Sequence, residues 1–473
     1  MIERMYHQRQ LGEGFIRDSI ADCWEPWMKI ADEILDDEEL IDLVYEALRR
    51  RRPQSATRGR KGTPAEVALR MLVLKHMRNW SFEIVEREVR ANLVYRMFTR
   101  VGAEKVPDAK TLGKIERALG PELIKKVQGR IVGIAAEKKV VKGRKMRVDT
   151  TVTETHIHYP TDSSLLGDGV RVLTRTMTRI VEIAGQTGER VCNRMRSVGR
   201  RVLEIARISR SKAQKQSQER LQAGYKRLLN ATGQVVAQAK RIAEEVKQGI
   251  KKSKKRVDQL RLDALRAELE RMIPLVRQVM RQTKARLFGN NLHAPEKLVS
   301  LFETATQIIR KGKSSKPTEF GRLIKIQEAE NQIITDYEVC DQRPADSTLF
   351  IKSIEAHQQK LGRVPHLAAA DAGFYSEANE KAAHKMGVKR VSMPNRSTKS
   401  AERRRLQKTR WFRQGQAWRT GCEGRISVLK RRHGLNRCRY RGDDGMKRWV
   451  GLGVIADNLI NIGRILALQA AEG

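Results

Sequence analysis

The sequence predicts a mixed α/β protein, in which one α/β domain follows a helical N-terminal region and contains a long helical insertion. Three observations predict this fold class. Short β-branched segments alternate with helical ones over the last third of the chain, and a similar strand stands alone before residue 160. The stretch between them steps its apolar residues at helical intervals. A chain of 473 residues has room for about three domains.

Residues 1–135 are predicted to form a helical N-terminal domain. From Thr63 the apolar residues recur every three or four positions, and Thr63 followed by Pro64 is a typical helix start. A further helix is expected to end at the Gly120-Pro121 pair. Short helices in a basic setting favour a helix-turn-helix-like DNA-binding domain, although a bundle that packs on the next domain would give the same pattern.

Residues 140–169 are expected to open the α/β domain. From residue 145 to 158 the sequence alternates, with an apolar face opposite the face that carries Arg147 and Asp149. The turn-forming residues from 159 to 169 predict a loop.

Residues 170–312 are predicted to form the long helical insertion. Apolar residues step by three and four in several successive runs, a coiled-coil-like pattern typical of long helices that pack as an antiparallel hairpin or a small bundle. Lys and Arg dominate the polar positions, as in KQGIKKSKKR. These positions form either a solvated surface or an arm that contacts DNA, and the high net charge favours the arm.

Residues 316–473 are predicted to complete the α/β domain with a hairpin, followed by helices and short strands in alternation. The predicted strands are Phe320–Glu328, Ile333–Val339, His366–Asp371 and Val388–Met393, and the predicted helices are Asp346–Leu361, Ser376–Met386, Gln416–Arg432 and Val454–Ala467. With the strand at 145–158 placed first, this is the element order of an RNase H-like domain that is interrupted after its first strand.

The charge of the chain indicates a polyanionic partner. The chain has 95 Lys and Arg against 55 Asp and Glu, a net charge of +40, and so large an excess repels itself unless a polyanion binds. Aromatic residues make up only 5%, which disfavours base stacking and favours contact with a duplex backbone. An anionic membrane surface fits the charge alone, but the absence of an 18-residue apolar run excludes a membrane span. The N-terminus lacks an apolar signal stretch, which predicts a cytoplasmic protein.

Three carboxylates stand where an acidic residue has no evident structural reason to be. Asp149 lies within a strand, Asp371 ends a short strand, and Glu423 lies on a strongly basic helix. Divalent cations shared among carboxylates would remove the cost of burying them, and two such ions can activate an attacking oxygen and stabilise a leaving one. Sequence alone leaves other acids in competition for this role: Asp162, Asp168, Asp346 and Glu377.

Four sequence blocks together resemble the DDE transposases of bacterial insertion sequences, and they are most similar to the ISNCY-type group. The blocks are VDTTVTETHIHYPTDSSLLGDGVRVL, KPTEFGRLIKI, HLAAADAGFYS and WRTGCEGRISVLKRRHGLNRCRYRG. The resemblance implies an RNase H-like catalytic domain with two Mg²⁺ ions, which Mn²⁺ could replace. It implies that Asp149, Asp371 and Glu423 are the catalytic and metal-binding residues.

The last block also resembles the family signature Y-x2-R-x3-E-x6-K. Arg419, Glu423 and Lys430 match it, and Gln416 stands where the family has tyrosine. The spacing places these four residues on one side of a helix, where the cations are expected to contact DNA phosphates. Trp418 could supply the stacking that Gln416 cannot, and Arg425 is a further candidate DNA contact of the same helix.

The function that the resemblance implies is metal-dependent nicking of transposon ends, followed by transfer of the freed 3′-hydroxyl strand into target DNA. Its partners would be double-stranded terminal inverted repeats and target DNA. A homodimer on DNA is expected because two ends must be handled together, and a nucleoid-associated protein of the bacterial cytoplasm is expected. Two alternatives remain: a non-catalytic, basic, architectural DNA-binding protein, and an RNase H-like nuclease that cuts without strand transfer.

Overall fold

A computed structural model describes residues 2–5, 19–51, 58, 61–185, 188–210, 214–289, 291, 296–310 and 317–472. The chain forms two compact units. The sheet unit comprises Met1–His156 and Ile309–Gly473, and the helical unit comprises Ile157–Ile308.

The described elements are mostly helical. The strands are β1 (Lys145–Glu154), β2 (Gln307–Arg310), β3 (Thr318–Glu328), β4 (Ile334–Val339), β5 (Leu367–Ala369) and β6 (Arg390–Ser392). The helices before β2 are α1 (Pro26–Ile34), α2 (Glu38–Arg51), α3 (Ala65–Met77), α4 (Phe82–Ala91), α5 (Leu93–Phe98), α6 (Ala109–Glu137), α7 (Asp162–Ala184), α8 (Met195–Arg210), α9 (Gln214–Lys247) and α10 (Arg256–Phe288). The later helices are α11 (Ser347–Leu361), α12 (Glu377–Lys385), α13 (Ala401–Lys408), α14 (Arg410–Arg432) and α15 (Gly442–Glu472).

The strands form one mixed sheet in the order β2-β3-β1-β5-β6, and β4 also pairs with β3. β1 is central, antiparallel to β3 and parallel to β5, while β6 is parallel to β5. The hairpin of β3 and β4 confirms the prediction for residues 320–339. Side chains alternate along β1, so that Met146, Val148 and Val152 lie on one face of the sheet and Arg147 and Asp149 lie on the other.

Helices cover both faces of the sheet. Apolar residues of β1 and β5 pack with α11, around Val148 and Phe350. On the other face β3 and β4 pack with α14 and α15, around Ile326 and Trp449. Both faces are therefore buried, as expected for strands that run parallel in an α/β domain.

The N-terminal helices α1–α6 are built around the last helix of the chain, because one apolar core joins them to α15. The helix predicted to stop at the Gly120-Pro121 pair does break there, since Gly120 is non-helical at φ 71°; a second helical segment follows directly and runs to Glu137, so α6 consists of two helices joined at a kink. Among the described residues, α15 alone is long and apolar enough to span a membrane. Since 72% of its most apolar window is buried, α15 serves as a core helix.

Helices α7–α10 form the core of the helical unit. The loop predicted for residues 159–169 is wrong, since α7 begins at Asp162. Thr161 caps this helix together with Ser164, and the helix needs glycine at 169 because a Cβ there would lie 2.6 Å from Val276. Glycine here therefore permits close helix packing and does not mark a turn.

Candidate active site

Asp149 lies in the middle of β1, on the face that α14 covers. Its neighbour two positions earlier, Arg147, points the same way and donates to the Glu328 carboxylate and to the Trp418 carbonyl. Arg147 thus ties β1 and β3 to α14. Helix α14 approaches this side chain closely at Gly421, where a Cβ would require the Arg147 guanidinium to shift.

The buried contacts below α14 are electrostatic as well as apolar. Burial raises the pKa of the Glu328 carboxyl, and the Arg147 guanidinium beside it acts in the opposite direction. Burial also raises the pKa of the Cys422 thiol, which faces Glu328. These groups fix the position of α14 on the sheet and lie beneath the surface that carries Glu423.

Gln416 holds the first half of α14 against the ends of β5 and β6. Its side-chain amide donates to the Ala370 carbonyl over 3.2 Å and to the Ser392 carbonyl over 2.6 Å. The structure therefore turns Gln416 toward the protein backbone.

Arg419 joins two of the predicted catalytic carboxylates. Its Nη1 lies 3.5 Å from Asp149 Oδ2, and its Nη2 donates to Glu423 Oε1 over 3.0 Å. The Arg419 side chain is 15% exposed, whereas that of Glu423 is 59% exposed. One cation thus occupies the space between an acid of the sheet and an acid of the helix.

Asp371 lies two residues beyond the end of β5, and the strand register relates it to Asp149. The last registered pair of β1 and β5 is Arg147 with Ala369, and both aspartates lie two residues beyond it. Asp371 Oδ1 accepts from the Gly373 backbone N–H over 2.9 Å, which closes the turn after the strand. Asp371, in the turn after β5, is therefore as far beyond the last registered pair as Asp149 is within β1.

A fourth carboxylate, Asp346, lies beside Asp371. A Cβ placed on Gly373 would be 3.1 Å from Asp346 Oδ2 and 3.2 Å from Asp371 Oδ1. Asp346 also accepts from the Thr150 hydroxyl over 3.1 Å, and Thr150 faces the side of the sheet opposite to Asp149. From the sequence alone, Asp346 is one of several acids that could have a catalytic role. The fold places Asp346 in the sheet unit, whereas Asp162 and Asp168 belong to the helical unit.

Asp149 and Glu423 line a cleft of about 1420 Å³ in the sheet unit. The same cleft is lined by cations on α14 and on the segment after it: Lys430, Arg431, Arg437 and Arg439. His156 and Asn79 complete its polar wall. A cleft with two carboxylates at one side and several cations around them suits a phosphodiester backbone.

Trp418 and Arg425, which the sequence predicts to contact DNA, both contact other residues of the protein. The Arg147 guanidinium stacks over the Trp418 ring at 4.9 Å. Arg425 is buried and its Nη1 donates to Asp457 Oδ1 over 2.7 Å. His433 is also buried against Asp457, at 3.4 Å. Sequence reasoning missed this cluster because Asp457 lies within an apolar helix and carries no motif.

The donor set suits Mg²⁺, since Asp149, Asp371 and Glu423 offer only carboxylate oxygens. Among the described residues, no three His, Cys, Asp or Glu side chains already converge to hold a metal ion. The position of Arg419 between Asp149 and Glu423 nonetheless shows that this pair accommodates a cation. The carboxylate oxygens of Asp149 and Glu423 therefore suit a divalent ion in their chemistry, at the place that the Arg419 guanidinium occupies.

The site thus combines Asp149 within β1, Asp371 beyond the end of β5 and Glu423 on α14, with a basic cleft beside Asp149 and Glu423. Two family models indicate the class of the protein. One described as Transposase domain (DUF772) matches residues 25–118, and one described as Transposase DDE domain matches residues 377–463. These matches support a DNA transposase of the DDE type, and a DDE domain implies the RNase H-like fold with which the strand order agrees.

The two matches cover different parts of the site. The first spans α1–α5 and the start of α6, and the second spans α12–α14 and most of α15, including Glu423. Asp149 and Asp371 lie outside both, and neither match specifies the ISNCY-type group. Searches of curated proteins and of solved structures found no match.

Proposed function

We propose that the protein is a metal-dependent DNA transposase, which nicks transposon ends and transfers the freed 3′-hydroxyl strand into target DNA. The observation that carries this proposal is that Asp149 and Glu423 line one basic cleft and are joined by Arg419, while Asp371 lies two residues beyond the last registered pair of β1 and β5. The resemblance to the ISNCY-type group is part of the proposal.

In this proposal Asp149, Asp371 and Glu423 hold two Mg²⁺ ions. When bound, the ions would neutralise charge at the scissile phosphate and activate the attacking oxygen. Lys430 and the cations that follow it along the cleft bind phosphates on either side and fix the DNA for in-line attack. Arg419 releases the two carboxylates and becomes available to a phosphate oxygen.

The other predicted DNA contacts have different roles in this account. Gln416 and Trp418 position α14, because their contacts lie within the protein. Arg425 stabilises the junction of α14 and α15 through Asp457. The N-terminal helices are proposed to bind the terminal inverted repeats, and the protein is proposed to act as a homodimer on DNA in the bacterial nucleoid.

The proposal is tested with purified full-length protein, Mg²⁺, a target plasmid and a labelled duplex that carries the element's own end. Asp149→Asn, Asp371→Asn and Glu423→Gln should each abolish nicking and joining while DNA binding remains. Glu377→Gln is the matched control, since Glu377 is exposed on α12 and pairs with Lys381; it should leave both products intact.

Other outcomes would favour the alternative functions. Nicked products without joined ones would identify a nuclease. Tight binding without any metal-dependent product from the wild-type protein would favour an architectural DNA-binding protein. Equal activity of the wild-type protein and Asp371→Asn would remove Asp371 from the site.

A further inference from the structure

Helix α8 of the helical unit presents a row of arginines to solvent. Arg196, Arg200, Arg207 and Arg210 are exposed, and Leu203 among them is 60% exposed. These five positions step by four and three residues, so they share one side of the helix. At 1.5 Å per residue the row is about 21 Å long.

Acidic residues do not neutralise this row. The acidic residue of α8 is Glu204, and its carboxylate pairs with Arg227 of α9 at 2.6 Å and not with an arginine of the row. Within the part of the chain that the structure describes, no ion pair involves the four arginines of the row. Across residues 157–308 the sequence has 31 Lys and Arg against 14 Asp and Glu. The helical unit therefore has a large excess of positive charge, and the four arginines of the α8 row contribute to it without a paired acid among the described residues.

Helix α10 of the same unit has a different charge pattern. In its first half Arg261 pairs with Asp258 at 3.2 Å and Arg266 pairs with Glu270 at 2.9 Å, as is usual on a water-exposed helix. Its exposed Arg271, Arg277 and Arg281 make no ion pair with described residues, but they step by six and four residues and so do not all share one side of the helix. The unbroken row on α8 therefore marks its outer side as a surface for a polyanion.

We propose that the arginine row of α8 contacts the backbone of double-stranded DNA, as a binding surface additional to the cleft of the sheet unit. This inference rests on the proposed function, in which DNA is the substrate. Arginine forks bind phosphate oxygens in pairs, and a row of about 21 Å can follow several successive phosphates. A membrane surface fits less well, because Leu203 is the single large apolar side chain exposed among the four arginines.

The test compares two full-length variants that lose the same charge. One replaces the four arginines of α8 with alanine: Arg196→Ala, Arg200→Ala, Arg207→Ala and Arg210→Ala. The control replaces four exposed arginines of α10: Arg261→Ala, Arg271→Ala, Arg277→Ala and Arg281→Ala. Binding of a labelled random-sequence duplex is measured by fluorescence anisotropy in EDTA over a series of salt concentrations.

The α8 variant should bind DNA more weakly, with a slope of log K against log salt reduced by about 0.9 for each phosphate that the protein no longer neutralises. The α10 control should keep the slope of the wild-type protein. Arg→Lys at the four α8 positions should keep most of the slope, which excludes misfolding as the cause. Equal weakening in both alanine variants, no weakening in either, or weaker binding to anionic vesicles but not to DNA would overturn the proposal.

Because the titration contains no metal and needs no cleavage, it is independent of the three catalytic carboxylates. A failure of Asp371→Asn to affect cleavage would count against the proposed chemistry alone. An unchanged salt slope in the α8 variant would count against the arginine row alone.

Discussion

The guanidinium of Arg419 lies 3.5 Å from the carboxylate of Asp149, a residue of the central strand. The same guanidinium donates to Glu423 one helical turn further along α14. Arg419 therefore stabilises two negative charges at the place where the proposed function requires a divalent ion. In the proposed function the arginine and the ion would compete for the same carboxylate oxygens.

Arg419→Gln should increase the affinity of the protein for Mn²⁺ in the absence of DNA. A partly buried ion pair contributes about 1 kcal/mol, so the expected gain is roughly five-fold. Cleavage by the same variant should fall, since the variant has no guanidinium to bind a phosphate. Manganese titration by electron paramagnetic resonance measures the first effect, with Arg413→Gln on the same helix as control. Unchanged or weaker Mn²⁺ binding would show that Arg419 does not compete with the ion.

Asp457→Ala should destabilise the sheet unit strongly. Asp457 is buried and accepts from Arg425, so its removal leaves a buried guanidinium without its acid. Removing one member of a buried pair costs about 3 to 5 kcal/mol. Thermal unfolding should show a large drop in Tm, while Arg425→Gln should lower Tm without changing the salt slope of DNA binding, because Arg425 is buried against Asp457. A reduced salt slope in the folded Arg425→Gln variant would instead make Arg425 a DNA contact.

The stability of the sheet unit should depend on the protonation of Lys75. This buried side chain lies among the rings of Phe82, Tyr440 and Trp449, each 4.8 to 5.0 Å from Nζ, and burial lowers its pKa from 10.5 to about 7. Between pH 7 and 10.5 the unfolded chain holds a proton that the folded chain has released. The contribution of Lys75 to stability therefore rises with pH across this window, by up to about 1.4 kcal/mol per pH unit.

Lys75→Met should remove that pH dependence. The Tm of the variant should exceed that of the wild-type protein by the largest amount at about pH 7, and this excess should shrink toward about pH 9.5. Lys114→Met, at an exposed position, should show no such trend. A constant difference in Tm across the pH range would mean that Lys75 does not titrate there.

Asp346→Asn should reduce DNA cleavage by less than about tenfold, equivalent to about 1.4 kcal/mol in the barrier. Asp346 is bonded to Thr150 on the face opposite Asp149, so we expect it to support the Asp371 turn and not to bind metal. Cleavage rates of Asp346→Asn and Asp371→Asn, measured side by side, show whether Asp346 supports the turn or binds metal. Comparable reductions would add Asp346 to the metal site.

Much of the fold follows from local patterns in the sequence. Alternation around Asp149 and the turn residues between β3 and β4 predict their elements, because these features act over a few residues. The start of α7 at Asp162 does not follow from such patterns, since a capping box can be formed by the same Thr and Ser residues that favour turns.

The candidate site is harder to predict from the sequence than the fold, because its contacts join segments that are distant along the chain. Composition marks Glu423 as an unusual acid in a basic helix. No local pattern shows that Arg419 contacts both Glu423 and Asp149. Likewise Arg425 has the composition of a DNA contact, and only the packing of α14 on α15 brings it to Asp457. Charged residues gain their roles from tertiary partners.

The most direct test of the account is to map which residues surround a bound metal ion. Fe²⁺ is substituted for Mg²⁺ in the presence of ascorbate and peroxide, and the polypeptide is cut by radicals formed at the ion. Cuts are expected near residues 149, 371 and 423; excess Mg²⁺ should suppress them and Asp149→Asn should remove them. Cuts that miss residue 371, or that persist in excess Mg²⁺, would contradict a shared metal site of these three carboxylates.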